Sequence, residues 1–256
     1  MKNNQTLTLS TIAGMVLFML IATIVTESVN RGYELEQPGE MPVLISPAGY
    51  ALIIWGFIYG GLIAFAIYQA IPSQKFNTQL EAVRPFVIIN SFINAIWFVS
   101  KELRLEWLTM LSMLAMLILL GIISTRLKIG RTATSVPQFL FVRIPFTLYF
   151  GWITAATPIH IMSYLSDIGM NINYESNEWY STILLGLVML ISAWVYFTRH
   201  SDFIYLLVIM WAFSAIGVAN IGTSEIVSYT AFGGALLAVI IVLIDNALGK
   251  RKVLFN

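Results

Sequence analysis

Residues 47–70 read PAGYALIIWGFIYGGLIAFAIYQA, a run without a single charged side chain. A helix rises about 1.5 Å per residue, so a run of this length can cross the roughly 30 Å of hydrocarbon in a bilayer. With seven similar runs, the predicted spans are about 7–26, 47–70, 83–100, 107–125, 138–162, 180–198, 203–221 and 226–247. The sequence therefore predicts an all-α integral membrane protein with eight transmembrane helices.

The composition supports this class and excludes several others. The 256 residues are 58% hydrophobic and 11% charged, whereas about 25% of residues are charged in soluble domains. The mean hydropathy is +0.82. A net charge of +1 gives no field that would attract nucleic acid. The absence of cysteine excludes disulfides and thiolate chemistry, and with only His160 and His200 we expect no metal site and no required cofactor.

Basic residues predict the orientation in the membrane. If the polar segments alternate sides, one side receives ten basic residues and the other only Arg31, Lys101 and Arg104. The ten are Lys2, Lys75, Arg84, Arg126, Lys128, Arg131, Arg199, Lys250, Arg251 and Lys252. Cytoplasmic segments are enriched in such residues, so both termini should be cytoplasmic. We expect a multi-pass protein of a bacterial inner membrane.

Three separate spans carry tryptophan or asparagine at related depths. In this orientation Trp55 lies roughly 12 Å below the outer edge of the membrane, and Asn94 and Trp97 roughly 5–10 Å below it. Trp152 lies deeper, at roughly 20 Å by the same helical rise. Polar and aromatic side chains from several helices that share one leaflet are what a ligand pocket between helices requires.

Helical spacing extends this set along each span. The candidate ligand-binding residues are Trp55, Tyr59, Asn90, Asn94, Trp97, Tyr149, Trp152, Ala156 and His160. Two asparagines on one stripe would be costly against lipid, so the stripe should face protein or a cavity. Hydrogen bonding between helices and contact with a ligand explain these asparagines equally well. For His160 a structural hydrogen bond is favoured over metal ligation.

Other conspicuous residues have simpler interpretations. Trp107 and Trp179 begin spans at the outer boundary and suit interfacial anchors. Arg143 could bind an anionic ligand group, but snorkelling to lipid headgroups is favoured. Gly56 and Gly60 form a G-x-x-x-G pattern, for which internal helix packing is favoured over a homodimer contact.

Three fragments resemble one known family. The segments PAGYALIIWGFIY (47–59), NAIW (94–97) and YFGWITAAT (149–157) look like the second, third and fifth helices of the TspO/MBR family. This family of tryptophan-rich sensory proteins includes the mitochondrial translocator protein, or peripheral-type benzodiazepine receptor. The resemblance covers roughly residues 7–165. It implies a five-helix membrane domain at 1–165, followed by a three-helix membrane extension at 166–256.

The resemblance also implies a ligand class and a lid. The family binds porphyrins, other tetrapyrroles and hydrophobic drug-like molecules in a pocket beneath the first loop. By this likeness Trp55, Asn94 and Trp152 would contact a tetrapyrrole such as a porphyrin or haem. Loop 27–46 would be the lid, with Tyr33, Pro38, Pro42 and Pro47. His160 departs from the family's asparagine, and no cholesterol-recognition tail follows, so cholesterol is not expected.

These observations favour a TspO-type membrane receptor that binds hydrophobic planar ligands for sensing, transfer or turnover. Its expected partners are membrane lipid and that small-molecule ligand, and a homodimer is possible. No acid–base pair supports an enzyme. The main alternative is a membrane transporter or permease subunit, although no paired charges are evident at mid-membrane and no nucleotide-binding motif is present. A third interpretation is a structural protein whose last three helices dock another membrane protein.

Overall fold

The described part of the chain is helical. A computed structural model describes residues 43–129, 135–170, 173–198 and 202–247, together with residues 6, 9, 10 and 12–14. Its long helices are α1 (Ile54–Ala70), α2 (Thr78–Glu102), α3 (Glu106–Arg126), α4 (Ile144–Asp167), α5 (Tyr174–Thr198), α6 (Phe203–Ala219) and α7 (Glu225–Ala247). A 3-10 turn, Gly49–Ile53, leads into α1. The turn Val136–Gln138 and a π-helical segment, Phe139–Arg143, lead into α4.

The observed helices can be compared with the eight predicted spans. Six of them are long and apolar enough to cross a membrane, counting the turns that lead into α1 and α4 with those helices. The seventh, α6, is apolar but shorter, at 17 residues. Most of the first predicted span, 7–26, lies outside the described residues. The structure thus confirms an all-helical, multi-pass membrane protein, and the count of eight stays a prediction.

Local sequence explains where several helices begin and turn. The Asn77 side chain caps α2 by accepting hydrogen bonds from the backbone N–H groups of Gln79 and Leu80. The connection between α2 and α3 contains only residues 103–105, with Arg104 at a φ of 54°. The connection between α6 and α7 turns at Gly222, whose φ of 77° favours glycine. Short connections make both helix pairs antiparallel neighbours.

Helix α4 is the centre of the bundle. In its most apolar window 67% of residues are buried, against 28–39% for the other five long helices. It packs against α1, α3 and α6, while α2 packs on α3, and α7 packs on both α5 and α6. Helix α4 also carries four of the nine predicted site residues. The bundle therefore places the largest share of the candidate site on its most enclosed helix.

Helix α6 and its C-cap residue Asn220 dock onto the segment that begins α1. The backbone N–H of Ala48 donates to the carbonyl of Ala215 at 3.0 Å, and Trp211 Nε1 donates to the Ala51 carbonyl at 3.3 Å. Asn220 Nδ2 donates to the Leu44 carbonyl at 2.7 Å. We call this end of the bundle, where α1 begins and α2 ends, the first-loop end. These contacts join helices on both sides of the proposed boundary at 165, and the division into two domains stays a prediction.

The G-x-x-x-G motif does not make the internal contact that was favoured for it. Gly56 and Gly60 are both exposed, and no described side chain lies within 4 Å of a Cβ placed there. The close approach is made by Gly61, where a Cβ would lie 2.9 Å from Pro145 Cβ. Within the described residues, helix packing therefore uses the neighbouring glycine, because that face of α1 points at α4.

Candidate ligand-binding site

Trp55 is the centre of an aromatic cluster near the first-loop end. Its ring stacks on Tyr59, one turn later on α1, with centroids 5.2 Å apart and an angle of 18°. It also stacks on Trp97 of α2 at 5.5 Å and 26°. Both Trp55 and Tyr59 are half-buried. The spacing of α1 thus puts two rings on one stripe and leaves part of each accessible.

Helix α4 closes the cluster from the other side. Tyr149 and Trp152 meet the Trp55 ring edge-on, at centroid distances of 6.1 and 6.4 Å. Edge-to-face pairs at this separation are favourable because a ring edge is positive and a ring face negative. Both α4 rings are buried. We call Trp55, Tyr59, Trp97, Tyr149 and Trp152 the aromatic cluster.

Buried amides lie beside these rings. Asn94 Nδ2 donates to the hydroxyl of Tyr149, which donates in turn to Met116 Sδ at 3.4 Å. Among the described residues, the side-chain oxygens of Asn94 and of Asn90, one turn earlier, have no hydrogen-bond partner. A buried polar atom without a partner costs about 1–3 kcal/mol. Hydrogen bonding between helices accounts for the Asn94 nitrogen, whereas both oxygens lack a partner among the described residues.

His160 has a structural hydrogen bond, as favoured from the sequence. Trp97 Nε1 donates to His160 Nε2 at 3.3 Å, so this ring nitrogen carries no proton. The Lys101 ammonium lies 5.8 Å from the centroid of the Trp97 ring. Among the described residues, no three His, Asp or Glu side chains form a group suited to a metal. Trp97 is therefore held between Trp55 and His160.

The structure brings together seven of the nine predicted site residues through direct contacts. They are Trp55, Tyr59, Asn94, Trp97, Tyr149, Trp152 and His160. Asn90 and Ala156 are buried one turn from Asn94 and Trp152. Of the predicted lid residues, Pro47 is half-buried ahead of α1, while Tyr33, Pro38 and Pro42 lie outside the described residues.

Arg143 corrects one expectation. It does not snorkel to headgroups, because its side chain is only 4% exposed and its Nε lies 3.5 Å from Asp202 Oδ2. Thr147 Oγ1 donates to the same carboxylate oxygen at 2.9 Å. Asp202 lies just before α6, in a segment that looks like an ordinary loop in the sequence. The sequence gives no signal for this pair, since 59 positions separate its members.

Two other polar contacts were also missed. Tyr205 of α6 donates its hydroxyl proton to Thr154 Oγ1 of α4 at 3.0 Å. Tyr196 of α5 donates to Asp245 Oδ2 of α7 at 2.9 Å. Tyrosines that start or end apolar spans are common at membrane boundaries, so composition alone does not distinguish these buried ones.

The helices and the aromatic cluster define a multi-pass membrane protein with an aromatic and amide-lined site at one end of its bundle. The family model for TSPO-like protein matches residues 5–244. The chain belongs to this family, which confirms the resemblance of the three fragments. The match also includes most of the three helices predicted as an extension. No curated protein and no solved structure matched the chain.

Proposed function

We propose that this protein is a TspO-type membrane receptor that binds hydrophobic planar ligands, such as porphyrins, at the aromatic cluster. The observation that carries the proposal is Trp55, whose ring faces two stacking partners yet stays half-buried. A planar ligand would lie against Trp55 and Tyr59 or replace Trp97 in the stack, since offset stacking is favourable for any flat π-system.

The unpaired amide oxygens would give such a ligand its orientation. Asn90 and Asn94 present acceptors beside the rings, and a pyrrole N–H is a donor that could satisfy one of them. Pockets of this kind combine apolar walls with a few placed polar groups. The same arrangement suits sensing, transfer or turnover of the ligand, and no cofactor is needed for binding.

The expected membrane is a bacterial inner membrane, with the first-loop end outside and both termini in the cytoplasm. The excess of basic residues on the opposite side supports this orientation. A homodimer through the exposed Gly56 and Gly60 stripe also remains a proposal. Labelling of single introduced cysteines from either side of intact vesicles tests the orientation.

A titration with protoporphyrin tests the binding function. Quenching of tryptophan fluorescence in the purified full chain should saturate, and Asn94→Ala and Trp152→Phe should each raise the dissociation constant severalfold. Trp107→Phe is the matched control, because Trp107 lies at the same end but is 50% exposed and outside the cluster. Saturable quenching with the same constant in all three variants would exclude this site.

A transporter is the second candidate, and the Arg143–Asp202 pair favours it. Arg143 ends the segment that leads into α4 and Asp202 is the N-cap residue of α6, and ionisable residues buried inside a membrane bundle often mark substrate or proton pathways. Flux measurements in proteoliposomes separate the two functions. Ligand movement with turnover, lost in Asp202→Asn while protoporphyrin binding persists, would support transport over a receptor without flux.

A further inference from the structure

A cavity lies at the first-loop end, where the connection between α6 and α7 meets the first turns of α7, and none of its lining residues belongs to the aromatic cluster. Its volume is about 270 Å³, and it is lined by Asn220, Ile221, Gly222, Glu225, Ser228, Tyr229 and Phe232. Drug-sized ligands occupy pockets of about 300–1,000 Å³. The cavity therefore suits a small headgroup better than a tetrapyrrole.

The walls combine one charge with aromatic rings. Glu225 is exposed and is the single charged residue among those lining the cavity. Tyr229 and Phe232 follow it at helical spacing on α7, and their side chains are 69% and 37% exposed. Carboxylates and aromatic faces together recognise ammonium cations, because the ring face is negative. This chemistry selects a cationic group over a phosphate or a carboxylate.

The inner wall is rigid and polar. Ser228 Oγ donates to the Gly217 carbonyl at 2.9 Å, and Asn220 Nδ2 donates to the carbonyls of Leu44 and Ile216. A Cβ on Gly217 would lie 2.8 Å from Phe232, so these two helices approach closely just below the cavity. The cavity is thus formed by the connection between α6 and α7 together with the first two turns of α7, and these hydrogen bonds hold that connection against α6.

An apolar track continues from the cavity along α7. Beyond Tyr229 and Phe232, the exposed side chains of Leu236, Ile240 and Leu243 follow at spacings of three or four residues. Residues at this spacing form one stripe on a helix. Glu225 begins a membrane-spanning helix, so the cavity lies at the level of the lipid headgroups and the stripe lies at the level of the acyl chains.

We propose that this α6–α7 cavity binds a phospholipid with an ammonium headgroup, such as phosphatidylethanolamine. The headgroup ammonium lies between Glu225 and the rings of Tyr229 and Phe232, and an acyl chain follows the α7 stripe. Glu225 also stabilises the first turn of α7 through the helix dipole. Glu175 occupies the first turn of α5 at the same end but does not line this cavity, so it separates the effect on the helix from the effect on the lipid.

Native mass spectrometry of the full chain in detergent tests the site with defined lipids. Phosphatidylethanolamine and phosphatidylglycerol share a phosphate, but only the first carries an ammonium group. The wild type should retain more phosphatidylethanolamine, and Glu225→Gln should reduce this retention roughly fivefold, as expected for loss of one exposed charge pair. Retention of phosphatidylglycerol should not change. Glu175→Gln is the matched control and should behave as the wild type.

A second variant and a displacement measurement test the roles of the ring and of the acyl chain. Tyr229→Leu keeps apolar surface but removes the ring, so it should weaken phosphatidylethanolamine retention about two- to fivefold. Free ethanolamine should displace the lipid only in large excess, because it lacks the acyl contact. Equal retention of both lipids by the wild type, equal losses in Glu225→Gln and Glu175→Gln, or displacement by ethanolamine at equal concentration would each overturn the proposal.

Discussion

The aromatic cluster and the α4–α6 interface both bury polar side chains between membrane helices, but they use them differently. At the interface, Tyr205 bonds Thr154, and a Cβ on Gly151 would meet Val208 at 2.9 Å. At the cluster, the side-chain oxygens of Asn90 and Asn94 have no partner among the described residues, and Trp55 stays half-buried. The interface closes on itself through a helix contact, a hydrogen bond and the Arg143–Asp202 pair, whereas the cluster keeps acceptors without a partner beside a ring that is only half-buried.

This difference separates stability from binding within one bundle. Close backbone approach and hydrogen bonds between helices are the main attractions available in lipid, where apolar side chains gain little by leaving the acyl chains. The α4–α6 interface uses both and should dominate the free energy of unfolding. The cluster should instead dominate ligand affinity. Substitutions in the two regions should therefore affect different measurements.

The largest effect is expected from Arg143→Met. The substitution leaves Asp202 buried without its counter-charge, and breaking a buried pair in this way costs about 3–5 kcal/mol. The free energy of unfolding in detergent, measured by denaturant titration, should fall by that amount. The exposed Lys75→Met variant should stay close to the wild type.

The double variant Arg143→Met/Asp202→Leu checks the cause of that loss. Replacing both charges removes the uncompensated carboxylate, so most of the stability should return. If the double variant were as unstable as Arg143→Met alone, the apolar packing of Arg143 rather than its pairing would explain the loss.

Gly151→Ala should have the next largest effect. Its new methyl group would lie 2.9 Å from Val208 Cβ and 3.3 Å from the Tyr205 carbonyl oxygen, so α4 and α6 must move apart. Overpacking of this kind costs about 1–3 kcal/mol. Gly186→Ala on α5 is the matched control, because nothing described lies within 4 Å of its Cβ position. Equal unfolding free energies for both variants would show that the interface adjusts without cost.

Trp55→Leu should lower ligand affinity, whereas the two substitutions above lower the free energy of unfolding. It removes the ring that meets four aromatic partners but keeps an apolar side chain in α1. An aromatic contact contributes about 0.5–1.5 kcal/mol beyond its buried area, so the protoporphyrin dissociation constant should rise roughly fivefold. Trp194→Leu, at a site 67% exposed on α5, is the control. Unchanged affinity in Trp55→Leu would remove Trp55 from the site.

Much of the helical architecture follows from hydropathy alone. The second to eighth predicted spans each contain the core of an observed helix, and α3 differs from its prediction by a residue at each end. When the lead-in turns of α1 and α4 are counted with those helices, the largest shifts are five or six residues, at the start of α2, the end of α4 and the start of α5. There polar residues extend the helix past the apolar run. The length of an apolar run reflects the thickness of the hydrocarbon layer, whereas polar caps and turns decide where the helix ends.

The candidate site was predictable because depth and helical face are both encoded by spacing. The helical rise places Trp55 and Trp97 at similar depths in the membrane, and their rings stack in the structure. The pairing of Arg143 with Asp202 was not predictable, because it depends on how α6 docks against α4. Gly61 was missed for the same reason: spacing identifies a stripe but does not say which stripe faces another helix.

Trp97→Phe should have the smallest effect on stability and affinity, and it tests whether Trp97 contacts the ligand or only positions Trp55. Phenylalanine keeps a ring next to Trp55 but cannot donate to His160, so the unfolding free energy should fall by about 1 kcal/mol. If Trp97 serves mainly to position Trp55, the protoporphyrin dissociation constant should change less than twofold, well below the change in Trp55→Leu. A loss of affinity equal to that of Trp55→Leu would instead place Trp97 in direct contact with the ligand. His160→Leu separates these outcomes, because it removes the acceptor and leaves both indole rings in the stack.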